Sequence, residues 1–251
     1  MKRPFDVILF DLGSTLIYFN GDFDEILVTG YARCYSALHV AGLHLERGPF
    51  LQRFKELMDE YRRERETEFI EYTTYNILKL ALAEFGYPAV PDNLIRQAVA
   101  TIYQLTQQYW EVEPDAHATL KQLQQEGYHL GLVSNAGDEP DVQTLIDRAG
   151  LRPYFEVILV SAELGIRKPH PRIFEQALQY WGVPPRRAAM VGDTLGADIL
   201  GAHNAGLYSI WITRRADSPG NRAHAGLIIP DAEISALAGL PALLRVLEGD
   251  E

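Results

Sequence analysis

The sequence predicts an α/β fold, a parallel sheet wound on both faces by helices, with a wholly helical domain inserted after the first strand. Short apolar runs recur at residues 7–10, 130–133, 157–160, 188–191 and 210–212, each closed by a small or polar residue. Continuous runs of this kind suit strands buried on both faces, as in parallel sheets. Amphipathic stretches at about 140–149, 171–181 and 195–204 separate the later runs. Strand and helix in alternation imply right-handed crossovers and an open, doubly wound sheet. A weaker strand at 227–229 and a final helix at about 232–247 complete this half.

The first strand differs from the rest, because the chain does not reach the second apolar run until Leu130. The intervening segment reads as helical throughout. Leu51, Phe54, Met58 and Tyr61 share one helical face, as do Leu94, Ala98, Ile102, Leu105 and Tyr109. Four helices are expected at about 23–43, 49–67, 72–85 and 92–109, broken at Gly48-Pro49 and Gly86-Tyr87-Pro88. The division expected is an α/β core of residues 1–17 and 112–251 and a helical domain of residues 18–111.

Composition narrows the function classes. The 251 residues, 47% hydrophobic and 23% charged, are those of an ordinary globular protein. The formal net charge of −11 supplies no basic surplus to displace counterions, which argues against a nucleic-acid partner. A small phosphorylated ligand is still allowed, since a metal and one lysine reverse the local sign. Lys2 and Arg3 precede an apolar run of only four residues bounded by Asp6 and Asp11, too short for an export signal, so a cytoplasmic location is expected. No stretch is long enough to span a membrane. The single cysteine, Cys34, excludes an internal disulfide and reads as a small apolar residue on a helix.

Ligands of open α/β sheets sit outside the carboxyl ends of the strands. After the first run comes Asp11-Leu12-Gly13-Ser14-Thr15, and after the second Ser134-Asn135. Arg167-Lys168-Pro169 lies beyond the third, and Gly192-Asp193-Thr194 follows the fourth, with Asp198 five residues past Asp193. A magnesium ion wants oxygen ligands, and Asp11 and Asp193 offer two carboxylates, with a main-chain carbonyl near Gly13 as a third. Such a metal together with Lys168 neutralises a phosphate and the charge that spreads over its oxygens. Ser134 can donate a hydrogen bond to the same group, and Asp11 can attack phosphorus to form an acyl phosphate.

These motifs, in this order, resemble those of the haloacid dehalogenase superfamily of hydrolases. Members carry an Asp-x-Asp-x-Thr loop, then a Ser or Thr, then a lysine, then an acidic Gly-Asp loop; here these fall at Asp11 to Thr15, Ser134, Lys168, and Gly192 to Asp198. The resemblance implies a Rossmann-like core and a helical cap that closes over the substrate. It implies Asp11 as nucleophile, with Asp11, Gly13 through its carbonyl, and Asp193 as magnesium ligands. Ser134, Asn135 and Lys168 are then the substrate-binding set, with Asp198 and Thr15 supporting from behind.

The departure lies at Gly13, where family phosphatases carry a second aspartate that protonates the leaving group and then activates water. Asp22 and Asp24, on the way into the helices, are candidate substitutes. The leading expectation is a magnesium-dependent phosphatase of a small phosphorylated metabolite. A haloacid-type dehalogenase, whose leaving halide needs no proton, is the alternative, but it leaves Asp193 and Asp198 unexplained. An impaired member that binds a ligand or protein is the third. Residues 62–66 read as a solvated face of paired charges, Tyr18 and Phe19 as packing residues, His170 as a structural residue, and Thr15 as tying down its loop through its hydroxyl.

Overall fold

The computed structural model describes residues 3–249, apart from the side chains at 66 and 67, so the outermost expected bounds at 1 and 251 lie outside the described residues. Six strands, β1 (Val7–Phe10), β4 (His129–Ser134), β5 (Val157–Val160), β6 (Ala188–Gly192), β7 (Tyr208–Ile212) and β8 (Ala232–Ile234), form one sheet. Their order is β5-β4-β1-β6-β7-β8, and every pairing is parallel. The two faces feed separate apolar clusters, which is why β1 has to be apolar at every position: Ile8 and Phe10 point into one and Val7 and Leu9 into the other. The first cluster is completed by α5 (Ala116–Gln125), α6 (Glu139–Arg148) and α11 (Leu240–Gly249), the second by α8 (Pro171–Gln179) and α9 (Leu200–Ala205).

One expected strand is not where it was read. Residues 227–229 form a turn and its exit, with Leu227 78% exposed and Ile229 63% exposed, whereas the sixth strand is Ala232–Ile234. The final helix correspondingly starts at Leu240. An apolar triplet without a neighbouring strand to pair with does not become a strand, and β8 is held by its register against Ile210 to Ile212 instead.

The inserted segment is α1 (Phe23–Val40), α2 (Arg47–Glu68), α3 (Thr74–Glu84) and α4 (Asp92–Thr106), close to the expected helices. Gly48 and Pro49 do not break a helix but lie in the first turn of α2, where a missing N–H loses no helical bond. These helices bury a cluster of their own, from Leu27 and Cys34 through Phe50 and Phe54 to Ile102. The chain enters them through β2 (Ile17–Phe19) and leaves through β3 (Trp110–Val112), which pair antiparallel as a two-stranded ribbon. Tyr18 and Phe19 pack there as expected, Phe19 against Tyr109 and Trp110 and Tyr18 beneath the Arg215 guanidinium.

A second junction joins the helices to the sheet body. Ile70 bridges Ile166, and the Phe69 carbonyl accepts from Arg167 N at 3.2 Å. Beside it the buried Glu71 carboxylate accepts from Ser161 Oγ at 2.7 Å and from the Tyr61 hydroxyl, and lies 3.3 Å from Arg167 Nη1. A further short helix, α7 (Ser161–Leu164), supplies that serine.

Candidate active site

The sheet assembles the site by register. Phe10 pairs with Val191 and with Leu132, so the next residue, Asp11, emerges beside the ends of β6 and β4. Its N–H donates to Val191 O at 2.9 Å, which extends the ladder by one residue and sets Asp11 against the Gly192-Asp193 turn. The first strand lies where the chain departs to opposite sides, the switch point at which such sheets bind ligands.

Lys168 is the hub. Its Nζ donates to Asp11 Oδ1 at 2.6 Å and to Val133 O at 2.7 Å, and lies 2.7 Å from Asp198 Oδ1. The lysine is 2% exposed. Asn135 clamps its main chain: Oδ1 accepts from Lys168 N and Nδ2 donates to Lys168 O, both at 2.9 Å. Asp198 is held from its other oxygen, which accepts from Thr194 N at 2.9 Å. Its carboxyl group lies so close over Gly192 that a Cβ on that residue would come within 2.3 Å of it, so only glycine fits there. Trp211 Nε1 and Asn221 Nδ2 both donate to the Asp193 carbonyl at 2.8 Å, fixing that turn.

Asp11, Asp193 and Asp198 each present a carboxylate oxygen within 4.8 Å of the others, and all three are buried. Three carboxylates facing one lysine leave an excess of negative charge out of water. Burial pushes Asp11 up to about 6, with Lys168 opposing and Asp198 adding to the shift. Burial, and then repulsion from Asp11 and Asp198, drives Asp193 well above the usual carboxylate range. Burial pulls the Lys168 ammonium down, but Asp11 and Asp198 outweigh it and leave it raised. An all-oxygen donor set that resists ionising without a counterion fits a hard divalent cation. One Asp198 oxygen is bonded to Thr194 N and the other lies against the Lys168 ammonium. Asp193 and the second oxygen of Asp11 have no such cation against them among the described residues and are the better placed to ligate.

A cavity of about 690 Å³ opens over these residues. Asp11, Gly13, Ser134, Asn135, Lys168, Asp193 and Asp198 all line it, so the structure brings the expected residues to one place. Thr15 lies beneath, fully buried, and its hydroxyl finds no hydrogen-bond partner among the described residues, so the expected loop tie is not made. Asp22 and Asp24 do not line the cavity; Asp22 caps α1, accepting from Glu25 N at 3.0 Å. His170 is structural as expected, its Nδ1 accepting from Arg172 N at the start of α8.

Other wall residues had no signal in the sequence. Arg65, which the mixed charge run placed on a solvated face, is half-buried and lines the cavity from the end of α2, together with Phe69. Trp110 of β3 stands where the second motif carboxylate is missing: a Cβ on Gly13 would point at its indole, 3.5 Å away. His224, from α10 (Pro219–His224), contributes from the far side, packed on Gly196. Asp141, in the first turn of α6, is buried, lines the same cavity and accepts from Gln107 Nε2 at 2.9 Å. Burial lifts its carboxyl to about 7, against the Gln107 hydrogen bond. A first-turn acid normally reads as a helix-dipole partner, and its glutamine lies 34 residues away in sequence, so neither announces the other.

A family model for haloacid dehalogenase-like hydrolases matches residues 5–206. The glyceraldehyde 3-phosphate phosphatase of Pyrococcus furiosus is 32% identical over 190 residues, covering 70% of this chain and 77% of that protein. The enzyme of the same name from Methanopyrus kandleri is 32% identical over 199 residues, 74% of this chain and 84% of its own. Among solved structures, a 2-haloacid dehalogenase from Pseudomonas syringae superposes with a TM-score of 0.70 at 26% identity, covering 97% of this chain and 99% of that one.

Proposed function

The chain belongs to the haloacid dehalogenase-like hydrolases, and from that premise we propose that it is a magnesium-dependent phosphatase acting on a small phosphorylated metabolite through an aspartyl phosphate at Asp11. The observation that carries this reading is the charge imbalance: three buried carboxylates cluster together, and one lysine, paired with Asp11 and Asp198, is the cation set among them. Dehalogenation has no use for that excess, whereas a divalent cation balances it and leaves the cavity able to receive a phosphate. The relatives at 32% identity are phosphatases by name, which supports the same side.

In this reading Asp11, Asp193 and the Gly13 carbonyl hold magnesium, which when bound offsets the charge on the phosphoryl oxygens. Asp11 attacks phosphorus and the bond to the leaving oxygen breaks. Lys168 then exchanges its contact with Asp11 for one with a phosphoryl oxygen, while Val133 and Asp198 keep the ammonium in place. Ser134 donates to another oxygen. Asn135 serves the substrate through Lys168, since both poles of its amide are engaged on that residue's main chain. Residues 18–111 act as a cap on the core of residues 1–17 and 112–251, with β2 and β3 as the two crossings. Arg65 and Phe69 are where that cap meets the substrate.

Hydrolysis of an activated aryl phosphate, with magnesium and with chelator, tests the reading. Magnesium-dependent turnover that disappears in Asp11→Asn is expected. Gly13 and the superposition on a 2-haloacid dehalogenase favour one other reading, halide release from a 2-haloacid. Metal-independent halide release with no phosphatase activity would establish it instead.

A further inference from the structure

We propose that Asp141 is the general acid and base of this site, taking over the proton transfers that the missing carboxylate at position 13 leaves undone. The inference rests on the phosphatase reading and extends it to a residue outside the family motifs. Four observations place the residue. Asp141 lines the same cavity as Asp11, on the wall formed by α6. It is buried, yet forms no ion pair among the described residues; its only side-chain partner there is the amide of Gln107. The direction in which a side chain at 13 would extend is filled by Trp110, three residues after Gln107, so the vacated wall and the glutamine that holds Asp141 belong to one segment. Leu145, one helical turn on from Asp141, lines the cavity beside it and shares a smaller pocket with Gln107 and Trp110.

The groups around Asp141 favour a proton that comes and goes near neutrality. Asp138 caps the same helix, the Tyr103 hydroxyl faces the pair from α4, and Asp11, Lys168 and Arg65 stand around the cavity. Among the described residues no cation is bonded to the carboxyl, and burial has lifted it to about 7. A carboxyl balanced between its two forms at the working pH is the condition for acid–base catalysis. His224, the histidine of the wall, packs on Gly196 of the acidic loop, whereas the Gly13 wall is faced by Trp110.

Asp11 attacks phosphorus, the bond from phosphorus to the ester oxygen breaks, and the Asp141 proton passes to that oxygen to give the free alcohol. The Asp141 carboxylate then takes a proton from water as the water oxygen attacks phosphorus. The bond to Asp11 breaks, inorganic phosphate leaves, and Asp141 is protonated again. Gln107, in the turn between α4 and β3, holds one oxygen of the acid and leaves the other for the substrate.

Asp141→Asn, assayed in magnesium on an alkyl phosphate and on an activated aryl phosphate, tests the assignment. The alkyl ester is expected to lose about a hundredfold or more in kcat/KM, together with the alkaline fall of its pH profile. The first aryl turnover is expected to stay within about threefold of wild type, followed by a slow phase, giving a burst of one aryl alcohol per enzyme. Asp141→Glu, which keeps a carboxyl at this position, is expected to turn over the alkyl ester at least about tenfold faster than Asp141→Asn, and that gain excludes misfolding as the cause. Alkyl turnover retained within about threefold, an equal loss on both esters without a burst, or the same leaving-group signature appearing in His224→Gln would overturn the proposal. Absence of magnesium-dependent aryl turnover in the wild type is a separate result; it removes the phosphatase reading and this assignment with it.

Discussion

Two buried charged clusters lie a few residues apart in this molecule, and they are built on opposite principles. At the junction between the helices and the sheet body, Glu71 faces Arg167, with Tyr61 and Ser161 saturating the remaining oxygen positions. One negative charge meets one positive charge. At the sheet edge, Asp11 and Asp198 share Lys168 while Asp193 crowds in beside them without an ion pair to that lysine, and two of the three carboxyls are driven upward in pKa. The first cluster is balanced and holds the helices against the loop that carries Lys168. The second is overloaded, and its imbalance is what a cation and a phosphate would use. Burial alone does not separate structure from function here; the charge count does.

Substitutions probe that contrast directly. The largest effect is expected at Asp11→Asn, which removes the nucleophile and should lower turnover of any phosphate ester by about a thousandfold or more in a steady-state assay. Next comes Glu71→Ala. It strands a buried guanidinium and should destabilise the fold by roughly 3–5 kcal/mol in chemical denaturation. Magnesium should then separate the two clusters. At roughly a hundredfold over its dissociation constant it should add about 2.7 kcal/mol to wild-type stability, read as a rise in melting temperature. The gain should persist in moderately destabilised Glu71→Gln and vanish in Asp193→Asn.

The smallest expected effect has the opposite sign to that of Glu71→Ala. In chelator at pH 7, Asp193→Asn should stabilise the protein, by about 1 kcal/mol, because it relieves repulsion where Glu71→Ala creates an unpaired charge. The pH dependence follows from the same raised values. Asp11 holds its proton more tightly folded, at about 6, than unfolded, at 3.8. Its contribution is therefore fully present below about pH 4 and lost as pH rises to about 6 in the metal-free protein. Magnesium should flatten that loss, and melting curves across the range would show it.

What the sequence makes legible follows physical range. The buried strands are readable because a parallel strand is apolar on both faces, as Val7 to Phe10 are, and the motif residues are readable because the sheet gathers strand ends at one edge. The helices are readable from their periodicity. Leu227 to Ile229 and β8 are not, because whether three residues pair depends on the neighbouring strand rather than on their own composition; β8 even carries an outward Glu233. Glu71 with Arg167 and Asp141 with Gln107 are contacts across long sequence separations, between residues whose local setting is that of surface charge. Arg65 shows the same effect, since its run of alternating charges does not reveal that the helix end turns one of them into the cavity.

In the proposed reaction Asp11 itself carries the phosphoryl group. Acid quench of the magnesium-loaded enzyme during turnover, followed by peptide mass spectrometry, reads this directly. One phosphoryl group is expected on the peptide containing Asp11, lost on treatment with hydroxylamine and absent from Asp11→Asn. Steady phosphate release under single-turnover conditions with no label on that peptide, or label on another residue, would contradict it.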